Sequence, residues 1–206
     1  MTNRASADTK ESLRRKFRAV LASLDASMRA ALSEQLAARL AEFLNRSGVA
    51  ELAIFAAMDG EPDLSGLHRL CPGIRFHYPR CRSAGLDFHF IADPGSLQPG
   101  RFGLREPAPH HPLRNPGLLD AILCPGLAFS SAGVRLGRGG GYYDRCLATA
   151  RDGLLRIGVG FALQHSHNLP REPHDILMTH LATEEGVVRC GSVARDAARE
   201  RSPEPE

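Results

Sequence analysis

Three short apolar runs constrain this chain more than anything else in it. They are VAELAIFAAM at 49–58, LLDAILCP at 118–125 and LLRIGVGFA at 154–162. Each reads as a buried strand. Helical patterns lie around them. Residues 8–24 put Leu13, Phe17, Val20, Leu21 and Leu24 on one face, and Asp8 with Glu11 resembles a capping box. A second helix is expected after Asp25, ending near Gly48, with Met28, Leu32, Leu36, Leu40 and Phe43 as its stripe. DLSGLHRLC at 63–71 predicts a short helix.

Strands alternating with helices predict an α/β sheet. IRFHYPRC and LDFHFIAD alternate in polarity across RSAG, which predicts a hairpin and therefore a mixed sheet. The Pro- and Gly-rich stretch 93–117 predicts a long surface loop, and LATEEGVVR at 181–189 a final strand or hairpin. The expected architecture is one domain over residues 1–191, a mixed, mostly parallel sheet flanked by helices in a Rossmann-like three-layer arrangement. Residues 192–206, almost without apolar side chains, are expected to be a disordered tail.

The bulk numbers exclude several classes. No apolar run approaches the roughly 18 residues of a membrane span. A net charge of +3 is too mild to imply nucleic acid, and the basic residues are not interleaved with aromatics. The first residues lack a signal-peptide core, and Asp8 and Glu11 argue against a transit peptide. Five cysteines without a CxxC pair argue against a zinc ribbon or a disulfide framework. Reduced thiols in a cytoplasmic monomer are the expectation.

The densest chemistry lies in RLGRGGGYYDR, residues 135–145. A strand, a glycine loop and a helix start can point backbone N–H groups at an anion. Glycines let the backbone approach phosphate oxygens, Arg135 and Arg138 add charge, and Asp144 can hold a cation. The stretch is neither a Walker A loop nor G-x-G-x-x-G, so a flexible turn with solvated arginines competes. Lys10, Arg14 and Arg18 stack at four-residue spacing on the first helix. They form either a solvated basic face or a clamp over a polyphosphate. Glu61 and Asp63 follow the first apolar run, where an open α/β sheet lines its ligand crevice. Asp175 follows a Pro-rich segment with His165, His167 and His174 nearby; these read as loop histidines, since no further ligand has zinc-like spacing.

CPGLAFSSAGVRLGRGGGYYDRCL at 124–147 closely resembles the signature of the 5-formyltetrahydrofolate cyclo-ligase family. KESLRRKFRAVLASL, FAAMDGEPDLSGL, YPR, GRFGLREP, GVGFALQ and PHDILMTHLATEEGV resemble its other blocks, in order, over about residues 10–188. The resemblance implies an enzyme that uses ATP and Mg²⁺ to convert a reduced folate, 5-formyltetrahydrofolate, to 5,10-methenyltetrahydrofolate through a phosphorylated formyl group. It implies that Lys10 and Arg14 contact ATP phosphates, together with Arg135, Gly137, Arg138, Gly139, Gly140, Gly141, Tyr142, Tyr143 and Asp144 around the nucleotide. Lys10, Arg138 and Tyr143 would be catalytic. Asp144 and Asp175 would hold Mg²⁺. Ala56, Met58 and Glu61 would bind the pterin, with Tyr142 and Tyr143 facing the folate; core packing is the other reading of Tyr143. Two departures stand out: Gly140 replaces a lysine found in some members, and Thr179 stands near where a second aspartate is common. A relative acting on another N-formyl or amide substrate, or a non-catalytic nucleotide or folate binder, remain the alternatives.

Overall fold

The computed structural model describes residues 9–83 and 85–191. In chain order they form α1 (Lys10–Ala22), α2 (Ala26–Arg46), β1 (Glu51–Ala53), α3 (Leu67–Leu70), β2 (Arg75–Cys81), β3 (Leu86–Phe90), β4 (Gln98–Pro99), β5 (Arg105–Glu106), β6 (Leu113–Arg114), β7 (Ala121–Pro125), β8 (Ala128–Phe129), β9 (Arg135–Leu136), α4 (Tyr142–Leu147), β10 (Leu155–Val159), β11 (His180–Thr183) and β12 (Gly186–Arg189). Among them no helix is long and apolar enough to cross a membrane.

Eight strands make one sheet in the order β12-β11-β10-β7-β1-β2-β3-β6. The central five pair in parallel, while β12 and β3 run against them at the two edges and β6 pairs antiparallel with β3. The expected mixed, mostly parallel sheet is therefore present, with the hairpin β2–β3 where the alternation placed it. Side chains alternate faces along each strand. Leu52, Ile54, Leu123 and Ile157 face α2 and α3, whereas Ala53, Ile122 and Cys124 face α4. This is the three-layer arrangement. Helix α1 joins neither layer. Its Leu13, Phe17 and Leu21 pack on Leu127, Ala128, Leu136 and Phe161, above the carboxyl ends of the strands.

Several boundaries differ from the sequence reading. Thr9 caps α1, accepting from the Ser12 N–H at 3.2 Å; Asp8, like residues 192–206, lies outside the described residues. Helix α2 starts after Asp25 as expected, with Asp25 as its cap, but Met28 is half exposed, and the buried stripe runs through Leu36, Leu40 and Leu44. The apolar run 49–58 pairs only over Glu51–Ala53, because Phe55, Ala56 and Met58 leave the sheet to line a cavity. The helix expected at 63–71 is one turn, Leu67–Leu70. The segment 93–117 is not plain loop: β4, β5 and β6 lie in it. The glycine stretch does not follow β7 directly either, since the β8–β9 hairpin intervenes.

Candidate active site

The carboxyl ends of β1, β2 and β7 open into a cavity of about 720 Å³. Ligand crevices of open α/β sheets lie at this end. The cavity gathers Lys10 and Arg14 from α1, Ala56, Met58 and Glu61 after β1, Arg135 and Gly137–Asp144 after β8, and Asp175 before β11, but not Arg18 or Asp63, whose carboxylate caps the Ser65 N–H instead.

Positive φ at Gly139 (114°) and Gly141 (65°) lets the glycine loop turn back over the cavity, a path that side chains with a Cβ disfavour. The Arg14 Nε–H donates to the Gly137 carbonyl at 3.1 Å and ties α1 to this loop. Helix α4 has only six residues, so its dipole is small. The capacity to hold an anion here rests on side-chain cations and exposed loop backbone more than on a helix terminus.

Apart from Arg14, which pairs with Glu11 on its own helix at 3.3 Å, each charged candidate is already paired with another. Lys10 Nζ lies 2.7 Å from Asp175 and 2.8 Å from Glu172. Arg135 meets Asp144 at 2.8 Å, and Arg138 meets Glu61 at 2.9 Å. Burial alone would raise the Asp175 pKa, but the Glu172 N–H and Lys10 hold it below the ordinary carboxylate value. Burial likewise opposes the Lys10 charge, and the two carboxylates overcome it, so its pKa is raised.

Arg135 is sealed in the fold. It is 8% exposed, donates also to the Pro125 carbonyl, and lies over the Tyr143 ring at 5.5 Å. The side chain steadies Asp144 and Tyr143. Tyr143 does both things weighed for it: it lines the cavity and packs on the cluster around Leu147 and Met178. Burial, with the nearby Glu61 carboxylate, raises its phenol well above the usual value. Cys81 lines the same cavity, and burial with the Glu106 carboxylate pushes its thiol to about 11. Both groups are neutral at pH 7.

Two carboxylates of the hard oxygen type that suits magnesium stand on neighbouring segments here. Asp144 Oδ1 faces the N–H of Ile176 at 3.5 Å, beside Asp175, so two hard carboxylates come from adjoining positions. Glu172, His174 and Asp175 also hold donor atoms within 4.8 Å of one another. The sequence reading missed Glu172, and it left His174 as a loop histidine. Their signal was proximity to Asp175 in REPHD. His165 and His167 form a ring pair outside the cavity, as loop histidines should. Phe102 was missed too. It is the one described non-glycine residue with positive φ (60°), and its ring lies 6.2 Å from that of Tyr142.

Residues 6–184 match the model of the 5-formyltetrahydrofolate cyclo-ligase family. A 5-formyltetrahydrofolate cyclo-ligase of Saccharomyces cerevisiae is 27% identical over 87% of this chain and 97% of its own length. One of Mycolicibacterium smegmatis is 44% identical, over 46% of this chain and half of its own length. The solved structure of Aquifex aeolicus 5,10-methenyltetrahydrofolate synthetase superposes with a TM-score of 0.78 at 30% identity, covering 96% of this chain and 97% of that one. The match begins before the basic helix, ends beyond Asp175 and includes the whole glycine stretch, and the fold is shared: the chain belongs to the 5-formyltetrahydrofolate cyclo-ligase family.

Proposed function

We propose that this cleft closes the ring of 5-formyltetrahydrofolate to give 5,10-methenyltetrahydrofolate, using ATP and Mg²⁺ and releasing ADP and phosphate. The observation that carries the reading is the convergence of three cation–carboxylate pairs on one cavity at the strand ends. In this reading the protein acts as a monomer.

The substrate's formyl group is an amide and a poor electrophile. Phosphorylating its oxygen makes that oxygen a leaving group. The ring nitrogen then pushes toward an iminium phosphate, the anilino nitrogen attacks, and phosphate departs. Such a path needs alignment and charge neutralisation more than a nucleophilic side chain. The site agrees: the Cys81 thiol and the Tyr143 phenol are both held neutral, so neither offers a ready nucleophile.

Lys10, Arg14 and Arg138 would hold the nucleotide phosphates, with the loop from Gly137 to Gly141 wrapped around them. Asp144 and Asp175 would hold Mg²⁺, which would neutralise phosphate charge. Arg135 keeps the Asp144 carboxylate in place, and Tyr142 and Tyr143 wall the face between nucleotide and folate. Glu61, 6% exposed, would accept two hydrogen bonds from the aminopyrimidine edge, beside Ala56 and Met58. On ligand binding Lys10 and Arg138 would turn to the phosphates, which would leave Asp175 free to hold Mg²⁺ and Glu61 free to accept from the pterin.

The direct test mixes the protein with 5-formyltetrahydrofolate, ATP and Mg²⁺. Near-ultraviolet absorbance of methenyltetrahydrofolate should rise with stoichiometric ADP. Absence of both products would reject the activity.

A further inference from the structure

A second cleft, of about 280 Å³, adjoins the first and is lined by Arg18, Leu21, Ala22, Arg29, Asp59, Gly60, Leu127 and Arg138. No role described so far uses it. Three guanidinium groups face one carboxylate there. Arg18 continues the Lys10–Arg14 stripe of α1, is exposed, and makes no hydrogen bond or ion pair with any described residue. Arg29 donates to Asp59 at 2.6 Å and to the Leu24 carbonyl at 3.2 Å. Its Nε–H is closed off from solvent yet meets no acceptor. The Asp59 side chain is fully exposed, so its pair with Arg29 is a weak surface contact that an incoming anion can displace. Arg138 lines both clefts, so their contents share one cation.

We infer that this second cleft is an oxyanion subsite, with Arg18 and Arg29 as its ligand-binding residues and Arg138 as its link to the main cavity. Planar guanidinium groups suit the paired oxygens of carboxylates and phosphates. The space suits one such group with water; it is too small for a nucleotide. The subsite itself stands on the cleft and its arginines. The identity of its occupant rests on the proposed function, which supplies two fitting anions: the orthophosphate released in each turnover, and the carboxylates of a γ-linked glutamate tail on the folate.

Arg18→Gln is the primary variant, because this exposed side chain holds nothing that folding needs. Arg29→Gln is the second. In both, turnover of the monoglutamate substrate and the KM for ATP should stay within about twofold of wild type. Loss of one charge-assisted contact corresponds to about tenfold in affinity. With orthophosphate as occupant, the inhibition constant of added phosphate rises about tenfold. With the glutamate tail as occupant, the KM advantage of a triglutamate over a monoglutamate substrate shrinks about tenfold and phosphate inhibition is unchanged. If both quantities stay within twofold in Arg18→Gln and in Arg29→Gln, the subsite is refuted while the cyclo-ligase reading stands. A wild-type protein that shows neither phosphate inhibition nor a triglutamate advantage refutes it equally. A protein inactive on the monoglutamate would instead overturn the function; a direct titration with inorganic phosphate then decides the subsite, which is refuted unless Arg18→Gln weakens phosphate binding about tenfold.

Discussion

Two ends of one sheet carry nearly the same chemistry and put it to different uses. At the carboxyl ends, Glu61, Asp144 and Asp175 each sit against a cation at the wall of a large cavity. Toward the amino end of β1, Glu51 is 5% exposed beneath Arg75 and Arg114, and its Oε2 lies 2.6 Å from His77 Nε2. Burial, with Arg114 and Arg75, pushes His77 down to about 4, so the ring is neutral at pH 7 and donates its Nε2–H to Glu51. That cluster lines neither cleft. Its charges have only each other and hold the sheet edge together. Those at the other end have somewhere else to go. Access, more than residue type, separates a structural ion pair from an exchangeable one.

The contrast can be broken by substitution. The largest effect is expected from Lys10→Ala, which should lower turnover at least about a hundredfold, as losing a transition-state charge contact does. Its urea midpoint should move little, because Asp175 keeps the Glu172 N–H. Glu51→Ala should do the reverse. Removing the carboxylate leaves the buried His77 Nε2–H without an acceptor and Arg114 without its ion-pair partner, which costs about 2 kcal/mol in urea unfolding. Turnover per folded molecule should be unchanged. A large stability loss in Lys10→Ala, or an activity loss in folded Glu51→Ala, would erase the distinction.

The same contrast should show in pH. The folded pKa of His77 is about 4 against 6.5 for the free side chain, so the unfolded chain binds its proton first. The stability due to neutral His77 is full above pH 6.5 and is lost as pH falls toward 4. At 1.36 kcal/mol per unit this amounts to roughly 3 kcal/mol at most, and about 2 is reasonable beside a carboxylate. Chemical denaturation at pH 7 and pH 4.5 measures it, and His77→Gln should flatten that limb. The smallest effect is expected from Glu61→Gln: the folate KM should rise about tenfold, as for one lost charged hydrogen bond, with the ATP KM largely kept. An unchanged folate KM would reject the pterin contact.

Much of this was legible in the chain. The central strands β7 and β10 stand where continuous apolar runs foretold them, since strands covered on both faces admit little else. The start of α2 after Asp25 was legible from its apolar stripe, and the structure adds the cap: Asp25 accepts from the Met28 N–H. The two-residue strands β4, β5, β6, β8 and β9 were not legible, because two residues carry no period; they exist through tertiary pairing. The apolar run at 49–58 misled for a related reason. Phe55 and Met58 are apolar because they line a cleft, and composition alone does not tell a ligand wall from a core. At the site, residue identities were readable and partners were not. Nothing in the spacing announces that Arg138 lies on Glu61, 77 positions away, or that Arg135 is sealed against Asp144.

The pairing of Lys10 with Asp175 spans 165 positions, from the first described helix to the segment just before the last two strands. A chain emerging from a ribosome amino end first must therefore be synthesised as far as Asp175 before these two groups can meet. An amino-terminal fragment ending between Gly141 and Asp175 has the basic helix and the glycine loop without the Asp175 carboxylate. Fragments that stop between the glycine loop and Asp175 would thus lack one member of the proposed set, whatever else of the fold they form.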